Sequence, residues 1–227
     1  MKEIFSVSIC ILLLFGCGKK EAFTEKKADI TFISESGERI PLEREEIDIF
    51  FSEKNDPRID NGKLEIRDPA SSIIVEYKIV NGLARGRCTV RGRVDGQLVE
   101  SGYTYYKDGI EDGEAIIFHE GTAIVLQDGR FENGKEKGNW KYYDRNQRLR
   151  MLIKHEEIGE MSEIITFDED RNVLIRGMYK SNQPYQGEFP RSVQLAVSQL
   201  YTGSSFPMSV FTYSDGELQK TTESEIF

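Results

Sequence analysis

The chain has 227 residues, a formal charge of -9 at pH 7 and a sequence pI near 5.0. Such a charge argues against a nucleic-acid binder, which exchanges a basic face for counterions, and against docking on anionic lipid. Apolar residues at 38% and charged residues at 30% are those of a folded body of one or two domains.

Ile4 to Phe15 is an apolar run too short to cross a bilayer as a helix and of the right length for a secretory signal. It ends Leu14-Phe15-Gly16-Cys17, which resembles the lipobox of bacterial lipoproteins, although Phe15 departs from the usual small residue. That resemblance implies a signal over 1–16, a diacylglycerol on Cys17, and an address at the cell membrane or outer membrane of a bacterium. Residues 17–28 hold the lipidated cysteine and a lysine-rich polar tether without periodicity.

From Asp29 the pattern becomes strand-like. Ile30, Phe32, Ile40 and Leu42 flank a Glu35-Ser-Gly37-Glu turn and predict a hairpin. Glu43 to Glu46 reads as a solvated acidic face, not a metal cluster. Asn61-Gly62 reads as a further turn, and Ser72 to Tyr77 as a β-branched strand. Residues 29–75 are either worn repeats or a separate β-element.

Over 76–190 a repeat is legible. Asn81-Gly82 is followed by Gly86, Asp108-Gly109 by Gly113, and Asn133-Gly134 by Gly138, with 27 and then 25 residues between successive turn glycines. Asparagine or aspartate before glycine is the strongest short hairpin signal, because a primed turn needs positive φ at both central residues. Two residues after the second glycine stand Cys88, Ala115, Trp140, Ile164 and Phe189, the fourth in a copy that has lost its glycines and the last following Gly187 after an insertion. That apolar column predicts a core shared by stacked hairpins, since one hairpin cannot bury its own face. Cys88 lies in the column and reads as a core residue, not a reactive thiol.

Past Pro190 the repeat is interrupted. Val193, Ala196, Val197, Leu200 and Tyr201 fall at helical spacing, while Val193, Leu195 and Val197 also fit an alternating strand; a short helix or irregular insert is expected near 192–201. Val210 to Leu218, with Ser214-Asp-Gly216 between, predicts a capping hairpin within a C-terminal region 191–227.

The unit Phe131 to Tyr143 resembles the MORN-repeat variant of bacterial YwqK-type, antitoxin-like proteins: an aromatic, Asn133-Gly134, a basic-acidic pair, Gly138, then Trp140, Tyr142 and a second aromatic. The resemblance covers about half of the chain. It implies an all-β fold, an elongated antiparallel meander of hairpins, and no catalytic residues, because its positions are turn and packing positions.

His119 and His155 have no partner at metal-ligand or catalytic spacing along the chain, and no phosphate-binding glycine loop or nucleophile motif occurs. No cofactor and no metal are therefore expected. Alternation places Trp140 and Tyr142 in the core and assigns Tyr106 and Tyr143 to the opposite face as a candidate binding surface. The expected function is a non-catalytic envelope lipoprotein serving as a protein-binding scaffold, with a membrane anchor, a protein partner and no nucleic acid. An immunity-like protein that neutralises a toxin is the alternative, and an enzyme on envelope polymers the second.

Overall fold

The computed structural model describes residues 28–52, 58–68, 72–156, 161–181, 183–190 and 208–224, together with 192, 193, 196, 197 and 200. Cys17 and the signal lie outside the described residues, as does the insertion residue Asn182. The chain divides into two compact units, one of residues 19–123 with 131–135, the other containing residues 124–130 and 136–227.

The first unit holds β1 (Asp29–Ser34), β2 (Arg39–Leu42), a 3-10 segment (Arg44–Phe51), β3 (Gly62–Asp68), β4 (Ile73–Val80), β5 (Leu83–Ala84), β6 (Gly86–Val94), β7 (Gln97–Lys107) and β8 (Ile110–Phe118). Its hydrogen-bonded order is β2-β1-β3-β4-β6-β7-β8, with β5 on β4. β3 pairs with β4 from Gly62↔Ile79 to Asp68↔Ile73, so residues 29–75 continue the same sheet as the hairpins after them. The 3-10 segment packs on this sheet through Phe50, stacked on Phe32 at 6.0 Å, and Phe51, edge-on to Tyr77 at 5.1 Å.

The second unit holds β9 (Val125–Glu132) and β10 (Lys135–Tyr143) apart from their tips, then β11 (Leu149–His155), β12 (Met161–Phe167), β13 (Val173–Lys180), β14 (Gln183–Pro190), β15 (Met208–Ser214) and β16 (Glu217–Ser224). These follow one another in strict sequence order, and their registered pairs from β10 to β16 are antiparallel. The fold class is therefore all-β, a meander of hairpins. Val193, Ala196, Val197 and Leu200 are helical, with the Ala196 N–H donating to the Ser192 carbonyl at 3.1 Å, so the 3.6-residue period prevails over the alternating one.

The turns behave as their residue types require. Asn81-Gly82, Asp108-Gly109, Asn133-Gly134 and Asp215-Gly216 have positive φ at both positions, 51° and 75° at Asn133-Gly134. Asp95-Gly96 between β6 and β7 is a further turn of this kind, at 49° and 82°, and it falls outside the repeat interval. Successive turns are laced by backbone hydrogen bonds: the Gly109 N–H donates to the Ala84 carbonyl and the Gly134 N–H to the Glu111 carbonyl, both at 2.9 Å. Each acceptor lies two residues after the preceding turn glycine.

The second glycines keep the left-handed conformation, with φ of 77° at Gly86, 133° at Gly113, 65° at Gly138 and 97° at Gly187. Near Gly113 and Gly187 the register shifts by a bulge, a place where glycine is favoured. On the other side of the hairpins the Asp144 and Asp168 side chains each accept the N–H groups two and four residues on, making the same turn 24 residues apart.

The apolar column is buried throughout: Cys88, Ala115, Trp140, Ile164 and Phe189 are none more than 6% exposed. Burying each large side chain stabilises by about 1.5 to 3 kcal/mol. Strand glycines seat the largest rings. A Cβ at Gly129 would overlap the Trp140 indole, and one at Gly177 would lie 2.6 Å from the Phe189 ring.

Asn61-Gly62 is not a hairpin turn. Gly62 begins β3 under the Phe32 ring, and the Asn61 side-chain oxygen accepts the Asn81 N–H at 2.9 Å. The acidic run at Glu43 has a structural role: the Glu46 carboxylate accepts the Glu43 N–H at 2.8 Å, capping the 3-10 segment, and is held by Arg58 at 2.9 Å.

Candidate functional site

Of the two tyrosines assigned to a binding surface, Tyr106 requires a correction. Tyr106 is buried, its ring 5.4 Å from Tyr77 and 5.8 Å from Phe51, and its hydroxyl donates to Glu111 at 2.9 Å. The error is one of parity. Tyr105-Tyr106 precedes a turn and Tyr142-Tyr143 follows one, so the inward member of the pair is the second in β7 and the first in β10. Tyr106 stands three residues before its turn glycine, as do Ile79 and Phe131, and all three are buried. Tyr143 is half-buried, and its phenol is pushed up by burial and then by a hydrogen bond to Asp128. Trp140 and Tyr142 lie in the core as expected.

The outward aromatic residues are Tyr103 and Tyr105 on β7. Register places Arg87 opposite Tyr105, Thr89 opposite Tyr103, and Ile116 across from Tyr103 on β8. One outward face therefore gathers Arg87, Tyr103, Tyr105, Glu114, Ile116 and Phe118. The Arg87 guanidinium lies 3.9 Å over the Tyr103 ring and holds Glu100 with both arms, at 2.7 and 3.0 Å. That pair raises the arginine above its ordinary range. Tyr103 donates its hydroxyl to Glu114 at 3.0 Å and stands edge-on to Tyr105 at 5.9 Å and tilted against Phe118 at 6.4 Å. Burial, then Glu114, pushes its phenol up. Tyr105 is 37% exposed, packed over Gly113, where a Cβ would come within 2.8 Å of the tyrosine Cβ.

The neighbouring carboxylates on this face are paired. Glu76 takes Lys63 at 2.6 Å and Arg91; Glu65 takes Arg67 at 2.7 Å and Lys63 at 3.2 Å. Glu65 is held below the ordinary glutamate range, first by the Arg67 hydrogen bond. Glu114 differs. Among the described residues its partner is the Tyr103 hydroxyl, and no cation pairs with it.

His155, assigned no partner along the chain, has two neighbours in space: Nδ1 lies 3.1 Å from Ser162 Oγ and Nε2 lies 3.1 Å from Glu136 Oε2. The three residues sit on adjacent strands β10, β11 and β12 and tie them at one end. Among the described residues no group of histidine, cysteine and carboxylate side chains is arranged to hold a metal, and no helix is long and apolar enough to cross a membrane.

Strands, turns and outward face define an all-β hairpin-repeat protein with a fixed aromatic and charged surface on β6–β8. Comparison with protein-family models, with curated proteins and with solved structures finds no match.

Proposed function

We propose that the protein is a non-catalytic scaffold of the bacterial cell envelope, anchored by lipid on Cys17, whose hairpin array presents a surface to a protein partner. The observation that carries this reading is the outward face of β6–β8, where Arg87, Tyr103 and Glu114 are locked by mutual contacts and Tyr105 stays exposed. Aromatic and charged side chains already held in place by their neighbours suit a binding surface, because little side-chain entropy remains to be lost on association. The Leu14-Phe15-Gly16-Cys17 stretch supports the anchor, and the laced turns support the MORN-like reading.

Metabolic labelling with an alkyne fatty acid, followed by membrane fractionation, tests the anchor. Label and membrane association are expected in the parent and lost in Cys17→Ala; an unlabelled, cytosolic parent overturns it. The formal charge of -9 favours one second reading, an immunity-like protein that meets a basic toxin. Protection of toxin-exposed cells on expression tests that reading.

A further inference from the structure

On the outward face of the first unit, Arg87, Tyr103 and Glu100 form a complete set: a guanidinium stacked on a phenol ring and clasped by a carboxylate. Beside it, Tyr105 and Glu114 supply the ring and the carboxylate of a second such set without an arginine. The Tyr105 ring is 37% exposed and is fixed by Gly113 beneath it and Tyr103 beside it. The Tyr103 hydroxyl holds Glu114 at 3.0 Å, occupying one lone pair and leaving the others to a donor from outside.

We propose that Tyr105 and Glu114 seat an arginine side chain of a basic protein partner, its guanidinium stacking on the exposed ring and its fork donating to the carboxylate. This rests on the scaffold reading above and names the chemistry of its partner. The occupant follows from charge. A carboxylate beside an aromatic face attracts a cation by both Coulomb and quadrupole terms. It repels the phosphates of nucleic acid and of anionic lipid. Arginine fits better than lysine, because a planar fork satisfies carboxylate and ring together whereas an ammonium is a compact, strongly hydrated charge.

The test is fluorescence anisotropy of the purified full chain with a fluorescein-labelled oligoarginine peptide, with oligolysine and oligoglutamate as comparisons. Glu114→Gln is the decisive variant, since the amide oxygen still accepts from Tyr103 and only the charge is removed. Oligoarginine is expected to bind more tightly than oligolysine, oligoglutamate not at all. Glu114→Gln and Tyr105→Ala should each weaken oligoarginine binding about threefold to tenfold. Glu217→Gln, which removes an equal charge from an exposed position of β16, should leave it unchanged. Equal loss in Glu114→Gln and Glu217→Gln would assign the binding to the overall negative field and overturn the proposal, as would no binding of oligoarginine. A partner captured from membranes equally well by the parent and by Glu114→Gln overturns this inference while leaving the scaffold reading intact; failure of Cys17 lipidation removes the anchor and leaves the arginine seat standing.

Discussion

Glu111 occupies the position two residues after a turn glycine and, at 4% exposure, meets neutral donors and no cation: the Tyr106 hydroxyl and its own backbone N–H. Burial pushes its carboxyl above the ordinary glutamate range, against the hydrogen bonds that pull it down. A carboxyl with a higher pKa folded than unfolded binds its proton better in the folded state. Its contribution is fully present below the unfolded pKa and is lost as pH rises through the folded one. Glu111→Gln keeps an acceptor for Tyr106 and removes the charge. Its urea midpoint should match the parent's near about pH 4 and exceed it at about pH 8; a parent with the same or greater advantage at alkaline pH contradicts this. Two glycines separate conformational from steric cost. Gly138 has φ of 65° and nothing within 4 Å of an added Cβ, so Gly138→Ala should lose only the left-handed preference, about 1 to 2 kcal/mol. At Gly187 the added Cβ would also meet the Arg176 carbonyl oxygen and lie 3.0 Å from Gly177 Cα. Gly187→Ala should therefore lose clearly more in the same denaturation experiment.

Hairpin by hairpin, the packing couples a strand glycine to the ring over it. Trp140→Ala should lose about 3 to 5 kcal/mol, and Gly129→Ala about 1 to 3 kcal/mol by driving the indole off its seat. The double variant should lose less than the two together, because the new methyl then faces the space the indole left; additive losses in a double-mutant cycle would show that the two sites do not touch. The turns carry a second expectation. Turn amides usually exchange quickly, but those of Gly109 and Gly134 are donated to the Ala84 and Glu111 carbonyls. Native-state hydrogen exchange should find them protected by at least about tenfold over the Gly37 amide, whose hydrogen bond closes only its own local turn at Ser34. Most of this element scale was readable from residue types, since asparagine-glycine and aspartate-glycine pairs dictate the backbone they adopt. Asp95-Gly96 was as readable but lies outside the 25-to-27-residue ladder, and Asn61-Gly62 has the same letters without the turn because its glycine is needed under Phe32.

Across the whole molecule, the repeat interval and the buried column were legible because they depend on spacing along one strand and its neighbour. The outward face was not. Whether Tyr105 or Tyr106 points outward depends on counting alternation from the correct side of a turn. The pairing of Arg87 with Glu100, or of His155 with Glu136 and Ser162, needs a cross-strand register that no single segment contains. The net charge of -9 was plain from the outset, but its distribution was not: Glu65, Glu76 and Glu100 on the β3–β8 face are paired with cations on the same or an adjacent strand, and Glu114 stands apart.

The lacing of turn to turn bears on how such a chain comes to be folded. Because the Gly109 amide finds its acceptor in the segment just behind it, and the Gly134 amide likewise, a newly delivered hairpin can dock on its predecessor as soon as its turn has formed. A polypeptide emerging one residue at a time from a ribosome or a translocation pore can thus add ordered rungs as it appears, with small loop-closure penalties at each addition. In that setting rungs are added in the order in which they emerge, and little unpaired strand is left open to aggregation at any moment.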